Sequence, residues 1–207
     1  MTVDRIQDYL SKLQFTLDEL PTGGIAKAIE LLQKARMEGR QVFIMGNGGS
    51  ASTATHFVCD LAKNTRRAGL PHFRVIGLTD NMAIFSAYAN DEGYESVFAK
   101  QLANLINPGD LVIGISASGN SANVINGMLE AKNHAAVTMA FTGFDGGRLG
   151  PMVDLNLHVR SNIIEHVEDI HLMLEHIIVL TIKQQTQPGT DVPVSFSEMA
   201  GDEIPGD

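Results

Sequence analysis

Tryptophan is absent from the 207 residues, and aromatic residues make up only 6% of them. Neither shortage excludes anything by itself. Cysteine occurs once, at Cys59, which excludes an intrachain disulfide and makes a reducing cytoplasm the simplest expected compartment. Basic residues are scarce too: 15 Lys and Arg face 24 Asp and Glu, for a formal charge of −9. A nucleic-acid or membrane-surface protein would need a surplus of Lys and Arg, so neither partner is expected. Phosphorylated small molecules stay open, because backbone amides bind phosphate without side-chain cations. No run approaches eighteen apolar residues, so no membrane span is expected. The opening MTVDRIQDYL carries acids and no apolar stretch, so no secretory leader is expected. An apolar content of 44% can fill the core of one domain of this length.

The periodicity then divides the chain. Ile6, Leu10, Leu13, Leu17 and Leu20 form a heptad-like stripe that fits a helix packed on its own domain or on a second subunit. Pro21 and Gly23-Gly24 interrupt it, and a second helix is expected from Ile25 to Met37. Short apolar runs follow at Gln41–Met45, Phe73–Leu78, Asp110–Ser116, Ala135–Phe141 and Leu155–Val159, with amphipathic segments between most of them. Runs apolar on both faces read as buried parallel strands, so the fold class is α/β with an open, doubly wound sheet. Asn162–Gln185 reads as one long helix, with Asn162 and Glu165 spaced as a capping box. The last segment, Thr186–Asp207, holds three prolines, five acids and no Lys or Arg, and is expected to be a disordered or loosely attached tail. One domain is therefore expected over 1–185, with the acidic tail over 186–207.

Three constellations carry chemistry. Met45-Gly46-Asn47-Gly48-Gly49-Ser50 lies between the first strand and a helix, where glycines admit a ligand and free amides favour an anion. It lacks the lysine of a nucleotide-binding P-loop and the pattern of a dinucleotide fold. Ser116-Ala117-Ser118-Gly119-Asn120-Ser121 follows another strand, and its hydroxyls and amides suit a phosphoryl group. Either loop alone could be a turn; the pair favours phosphate. His56 and Asp60 share one helical face, which suits a metal site or an acid–base pair. Neighbouring Cys59 reads as a small buried hydrophobe. The final helix holds Glu165, His166, Glu168, Asp169, His171, Glu175 and His176. Steps of five rotate about 140° each, so the three histidines cannot share one site.

These pieces together resemble the sedoheptulose-7-phosphate (phosphoheptose) isomerases. The resemblance rests on Gly46-Asn47-Gly48-Gly49-Ser50, His56-Phe57, Asn90-Asp91, Gly114 to Val124, Thr142 to Gly147 and Glu168 to His176, and spans roughly residues 5–185. It implies a sugar isomerase (SIS) domain with a five-stranded parallel sheet, and a homotetramer with active sites at subunit contacts. It also implies interconversion of sedoheptulose 7-phosphate and glycero-manno-heptose 7-phosphate. Family substrate positions fall on Asn47, Gly48, Gly49, Ser50, Asn90, Asp91, Ser116, Ala117, Ser118, Ser121 and Glu168. Family metal positions, usually zinc, fall on His56, Asp60, Glu168 and His176, with Asp60 as base and His176 as acid. The chain departs from the family pattern at Asp60 (usually Glu), Glu168 (usually Gln) and Ala117 (usually Thr). Residues 168 and 176 are also about 12 Å apart along a straight helix, which strains a shared ion. A non-catalytic interaction protein of the replication-initiator-associating type, or a sugar-phosphate sensor, is the alternative; retention of His56 and His176 favours the enzyme.

Overall fold

The computed structural model describes residues 1–185, so the expectation for the tail lies outside the described residues. Two helices, α1 (Thr2–Asp18) and α2 (Thr22–Met37), precede β1 (Gln41–Gly46). Then come α3 (Gly49–Lys63), β2 (Arg74–Gly77), α4 (Met82–Glu92), α5 (Val97–Leu105) and β3 (Leu111–Ser116). The chain continues through α6 (Ala122–Asn133), β4 (Val137–Thr142), β5 (Leu155–His158) and α7 (Ile164–Gln185). All strand pairs are parallel, in the order β2-β1-β3-β4-β5. The chain runs outward from β1 to β2, then crosses back to place β3 on the other side of β1. That reversal puts the crevice for a ligand between the carboxyl ends of β1 and β3. Both glycine- and serine-rich loops leave from those two ends, with Gly46 in register with Ile115.

Alternate residues of each strand feed two cores. Val42, Ile44, Leu111, Ile113, Ile115, Met139, Phe141 and Leu157 pack under α2, α3 and α7. Phe43, Met45, Val112 and Ala140 pack under α5 and α6 on the opposite face. Every residue of β3 is buried, as a strand covered on both faces requires. Buried Arg36 fastens the connection from α3 to β2, donating from Nε to the Pro71 carbonyl (2.6 Å) and from Nη2 to the Thr65 carbonyl (3.1 Å).

Several expected boundaries move. β4 starts at Val137 because Ala135 takes a positive φ of 55° in the turn that closes α6. The last helix starts at Ile164, and the side chain accepting an amide there is that of Ser161, from the Ile163 N–H. The leucine stripe divides: Leu13, Leu17 and Leu20 pack on the core, whereas Ile6 and Leu10 are 55% and 56% exposed. Tyr9 pins α1 to α7 by donating its hydroxyl to Asp169 (2.6 Å). Among the described residues no helix is long and apolar enough to cross a membrane.

Candidate active site

The loop after β1 is built around an amide pair. Asn47 and Asn123 exchange two hydrogen bonds of 2.8 Å, and the Tyr94 hydroxyl donates to Asn47 Oδ1 (2.9 Å). Asn47 is thereby fixed to α6 beside β3, which couples the two loops. Gly49 opens α3, and its missing side chain leaves room for Glu168: a Cβ there would lie 2.7 Å from Glu168 Oε1. The carboxylate thus sits over the electropositive start of α3. A cavity of about 520 Å³ opens alongside, walled by Asn47, Gly48, Thr55, Thr79, Phe85 and Tyr94 among others.

The loop after β3 is knitted to the loop after β4. The Gly143 N–H donates to the Ala117 carbonyl (2.8 Å) and the Leu149 N–H to the Gly119 carbonyl (2.9 Å). Gly119 combines a φ of 63° with close backbone packing on Gly146 and Gly147, so only glycine fits. Ser116 and Ser121 place their hydroxyls 3.1 Å apart, and Ser118 Oγ accepts the Asn120 amide. These serines do not line the cavity beside Asn47. Ser50 and Ala117 are buried. Asn90 and Asp91 stand exposed at the end of α4, hydrogen-bonded to each other (2.7 Å), and also lie off the cavity.

Further along α3, His56 and Asp60 meet α7. Four side chains, His56, Asp60, Glu175 and His176, place one ligand atom each within 4.8 Å of one another, so they could hold a metal ion. The two imidazole Nε2 atoms are 3.4 Å apart, and His176 Nε2 is 3.3 Å from Glu175 Oε2. His56 Nε2 is 3.7 Å from Asp60 Oδ2, whose other oxygen accepts from Asn64 (2.8 Å). An ion with ligands about 2.0–2.1 Å away in a tetrahedron separates its donors by about 3.4 Å, so the donor set fits a zinc-like cation. Both Glu175 oxygens are buried and lack a well-formed hydrogen bond among the described residues, with the His176 imidazole and the Asp60 carboxyl as their polar neighbours, a setting that suits a ligand. Burial, reinforced by the neighbouring Asp60 charge, pushes the Glu175 carboxyl up to about 8.

The grouping differs from the expected set: Glu175, not Glu168, stands with His56, Asp60 and His176. Glu175 and His176 lie mid-way along α7 with their side-chain ends 3.3 Å apart, whereas residues 168 and 176 stand about 12 Å apart along the axis. The signal for Glu175 was its place on the apolar face of α7, between Leu174 and Ile178, which buries a carboxylate that then needs a partner. Cys59 is also corrected: it is exposed, turned away from the buried face of α3 that carries Phe57 and Leu61. The cavity's aromatic wall, Phe85 and Tyr94, carried no sequence signal of its own.

The three α7 histidines diverge as their spacing requires: His166 and His171 are buried, and only His176 reaches the cluster. Burial lowers the His171 imidazole to about 4, and the nearby Thr142 backbone opposes this only in part. Its folded value lies below the ordinary 6.5, so its contribution to stability is complete above that pH and is lost as pH falls from 6.5 towards 4. We expect His171→Leu to abolish a loss of about 2.5 kcal/mol between pH 7 and 4.5. Urea unfolding of both proteins across that range reads it; a wild-type minus variant difference that stays flat would contradict the assignment.

A parallel sheet in this order, with anion-suited loops leaving the neighbouring strands β1 and β3, frames a site for a phosphorylated ligand, and similarity to known proteins identifies the domain as a sugar isomerase domain. Residues 5–143 match the SIS domain model. The phosphoheptose isomerase of Aliarcobacter butzleri is 37% identical over 181 residues, covering 86% of this chain and 92% of that protein. A probable phosphoheptose isomerase of Thermoplasma acidophilum is 40% identical over 162 residues, covering 78% and 87%. The solved phosphoheptose isomerase of Francisella tularensis superposes with a TM-score of 0.81 at 30% identity, covering 89% of this chain and 99% of that one. The chain belongs to the phosphoheptose isomerase family, and is an isomerase rather than an interaction protein of the same fold.

Proposed function

We propose that the chain interconverts sedoheptulose 7-phosphate and a glycero-manno-heptose 7-phosphate by proton transfer to and from the sugar, with Asp60 as base and His176 as acid. The observation that carries this reading is the convergence of Asp60, His56, Glu175 and His176 at the junction of α3 and α7, on the same helix whose first turns wall the cavity. Asp60 is only 14% exposed, and carboxylates in such a place can accept a proton from carbon. The His176 imidazole can donate a proton to the sugar oxygen and take one back. In the ketose-to-aldose direction the base takes a proton from the hydroxymethyl carbon, whose electron pair forms a carbon–carbon double bond. The acid protonates the former carbonyl oxygen to give an enediol; the hydroxyl on the first carbon then hands its proton back to that group while the base returns the first proton to the neighbouring carbon, which leaves the aldehyde and restores both residues. His56, Asp60, Glu175 and His176 would hold a divalent ion, most suitably zinc, and such an ion polarises a carbonyl when bound.

Ser116, Ser118 and Ser121, with the amides of their loop, are assigned to the phosphate, and Asn47, Gly48, Gly49 and Ser50 to the sugar. Held at its far end, the chain of the substrate presents its first two carbons to the acid and base. Asn90 and Asp91 remain assigned to substrate, and Ala117 contributes backbone alone. Glu168, over the start of α3, is assigned to the sugar rather than to the ion. Incubation of the protein with sedoheptulose 7-phosphate, with and without zinc, should yield an aldose signal by NMR. No aldose under either condition would leave a sugar-phosphate sensor in its place.

A homo-oligomer, most simply a tetramer, is part of this proposal. Met173, Ile177 and Leu180 recur on one exposed face of α7 beside half-exposed His176, and Ile6 and Leu10 protrude from α1. Apolar stripes of that kind on two helices are poorly suited to water. Light scattering at micromolar concentration should give about four times the 22.3 kDa chain mass; a stable species of one chain mass would contradict it. The cytoplasm is the proposed compartment, consistent with a lone, exposed thiol.

A further inference from the structure

A second cleft, of about 390 Å³, lies between α1 and the segment that leads from β5 into α7. It is separate from the candidate active site and shares no lining residue with the cavity beside Asn47. We propose that it binds a phosphate monoester, distinct from the substrate of the active site.

Its polar lining is cationic and hydroxylic. Lys12, Arg160, Ser11, Thr16 and Ser161 face it, with Phe15 and Ile163 as apolar walls. Arg160 is exposed and makes no ion pair among the described residues, so its guanidinium fork is free for an oxyanion. His166 lines the same cleft and is fully buried, yet neither ring nitrogen has a hydrogen-bond partner. Among the described residues its one ring contact is edge-on, with Tyr9 at 4.3 Å between centroids. Buried imidazoles left unmatched are unfavourable, and a small movement of the ring towards the cleft would let a ligand oxygen accept from the donor nitrogen. The start of α7, a helix of 22 residues, adds a partial positive charge on the same side.

Nearby carboxylates limit but do not cancel this field. Asp8 holds Lys12 at 2.6 Å, Asp169 accepts from Tyr9, and Glu165 stands exposed in the first turn of α7. None of the three lines the cleft. The volume exceeds that of a phosphate group, and Phe15 and Ile163 leave room for a short organic body. Ser11, Lys12, Phe15 and Thr16 also fall on the flank of α1 roughly opposite Ile6 and Leu10, counting 100° per residue. An assembly built on the Ile6 and Leu10 face would therefore leave the cleft open.

Inorganic phosphate is the probe, titrated into the full chain and followed by ¹⁵N NMR of the Arg160 side chain and the His166 ring. The same titration is run on the Ser118→Ala/Ser121→Ala protein, in which the active-site loop is weakened. Saturable shifts at both residues in both proteins, with the dissociation constant raised about tenfold by Arg160→Ala, would bear the site out. Arg160 is exposed, so this variant should fold as the parent does. Three results would each overturn the proposal: no saturating shift, loss of the shifts in the double-serine variant, or an unchanged constant in Arg160→Ala.

Discussion

Asp60→Asn and His176→Gln are each expected to lower turnover of sedoheptulose 7-phosphate by roughly 10²–10⁴-fold while the protein stays folded. Asp60→Asn keeps the side chain's size and its hydrogen bond with Asn64 within reach, but removes the basic oxygen. His176→Gln keeps a polar group near Nε2 while removing a group that can both donate and take back a proton. Steady-state rates are read beside circular dichroism and metal content, since both residues also belong to the cluster that could hold an ion. Restoring full metal content with excess zinc separates the two contributions: a deficit that persists belongs to proton transfer. Wild-type rates in both folded variants would remove Asp60 and His176 from the mechanism. The one-methylene extension Asp60→Glu is informative in the other direction. If the shorter acid is matched to its surroundings by the Asn64 contact, Glu should lower the rate; a rise would mean that Asp60 is a handicap in the native chain.

Most of the fold was legible because its signals are local. Buried runs such as Val42–Gly46 and Leu111–Ser116 read as covered strands without any knowledge of their neighbours. The loops at 46–50 and 116–121 announced themselves by glycine and hydroxyl content, and the sheet order then placed them on adjacent strands. What sequence could not supply was depth. Glu175 stood in a row of acids and histidines, and only the packing of α7 against α3 separates it from Glu165 and Asp169. Glu168 was assigned to the ion by resemblance alone, and the 12 Å along the helix already spoke against that. Cys59 followed a residue-type tendency towards burial, which the orientation of α3 overrides. The Asn47–Asn123–Tyr94 network joins residues far apart in the chain, and amide–amide pairs leave no periodic trace. The leucine stripe of α1 was read as one face, but the core extends under only its second half.

The metal assignment makes a sharper demand, because it distinguishes two glutamates on one helix. Glu175→Gln should weaken zinc binding by roughly a hundredfold or more, as should His56→Ala, whereas Glu168→Gln should change it by no more than about threefold. The reasoning starts from the donors. Imidazole nitrogens 3.4 Å apart cannot both carry a proton on the facing edge without repulsion, so at least one lone pair points into the gap. Glu175 brings a carboxylate that burial disfavours when charged, and a cation is the partner that relieves this cost. Glu168 has no such need, since its carboxylate already rests over the start of α3. Competition with a chromophoric chelator gives the affinities, and elemental analysis of protein purified without chelator gives the occupancy. The opposite ranking, with Glu168→Gln weak and Glu175→Gln near wild type, would return Glu168 to the ligand set and leave Glu175 as a buried acid. No zinc uptake by the wild type would discard the ion and leave His56, Asp60, Glu175 and His176 as a half-buried acid–base cluster.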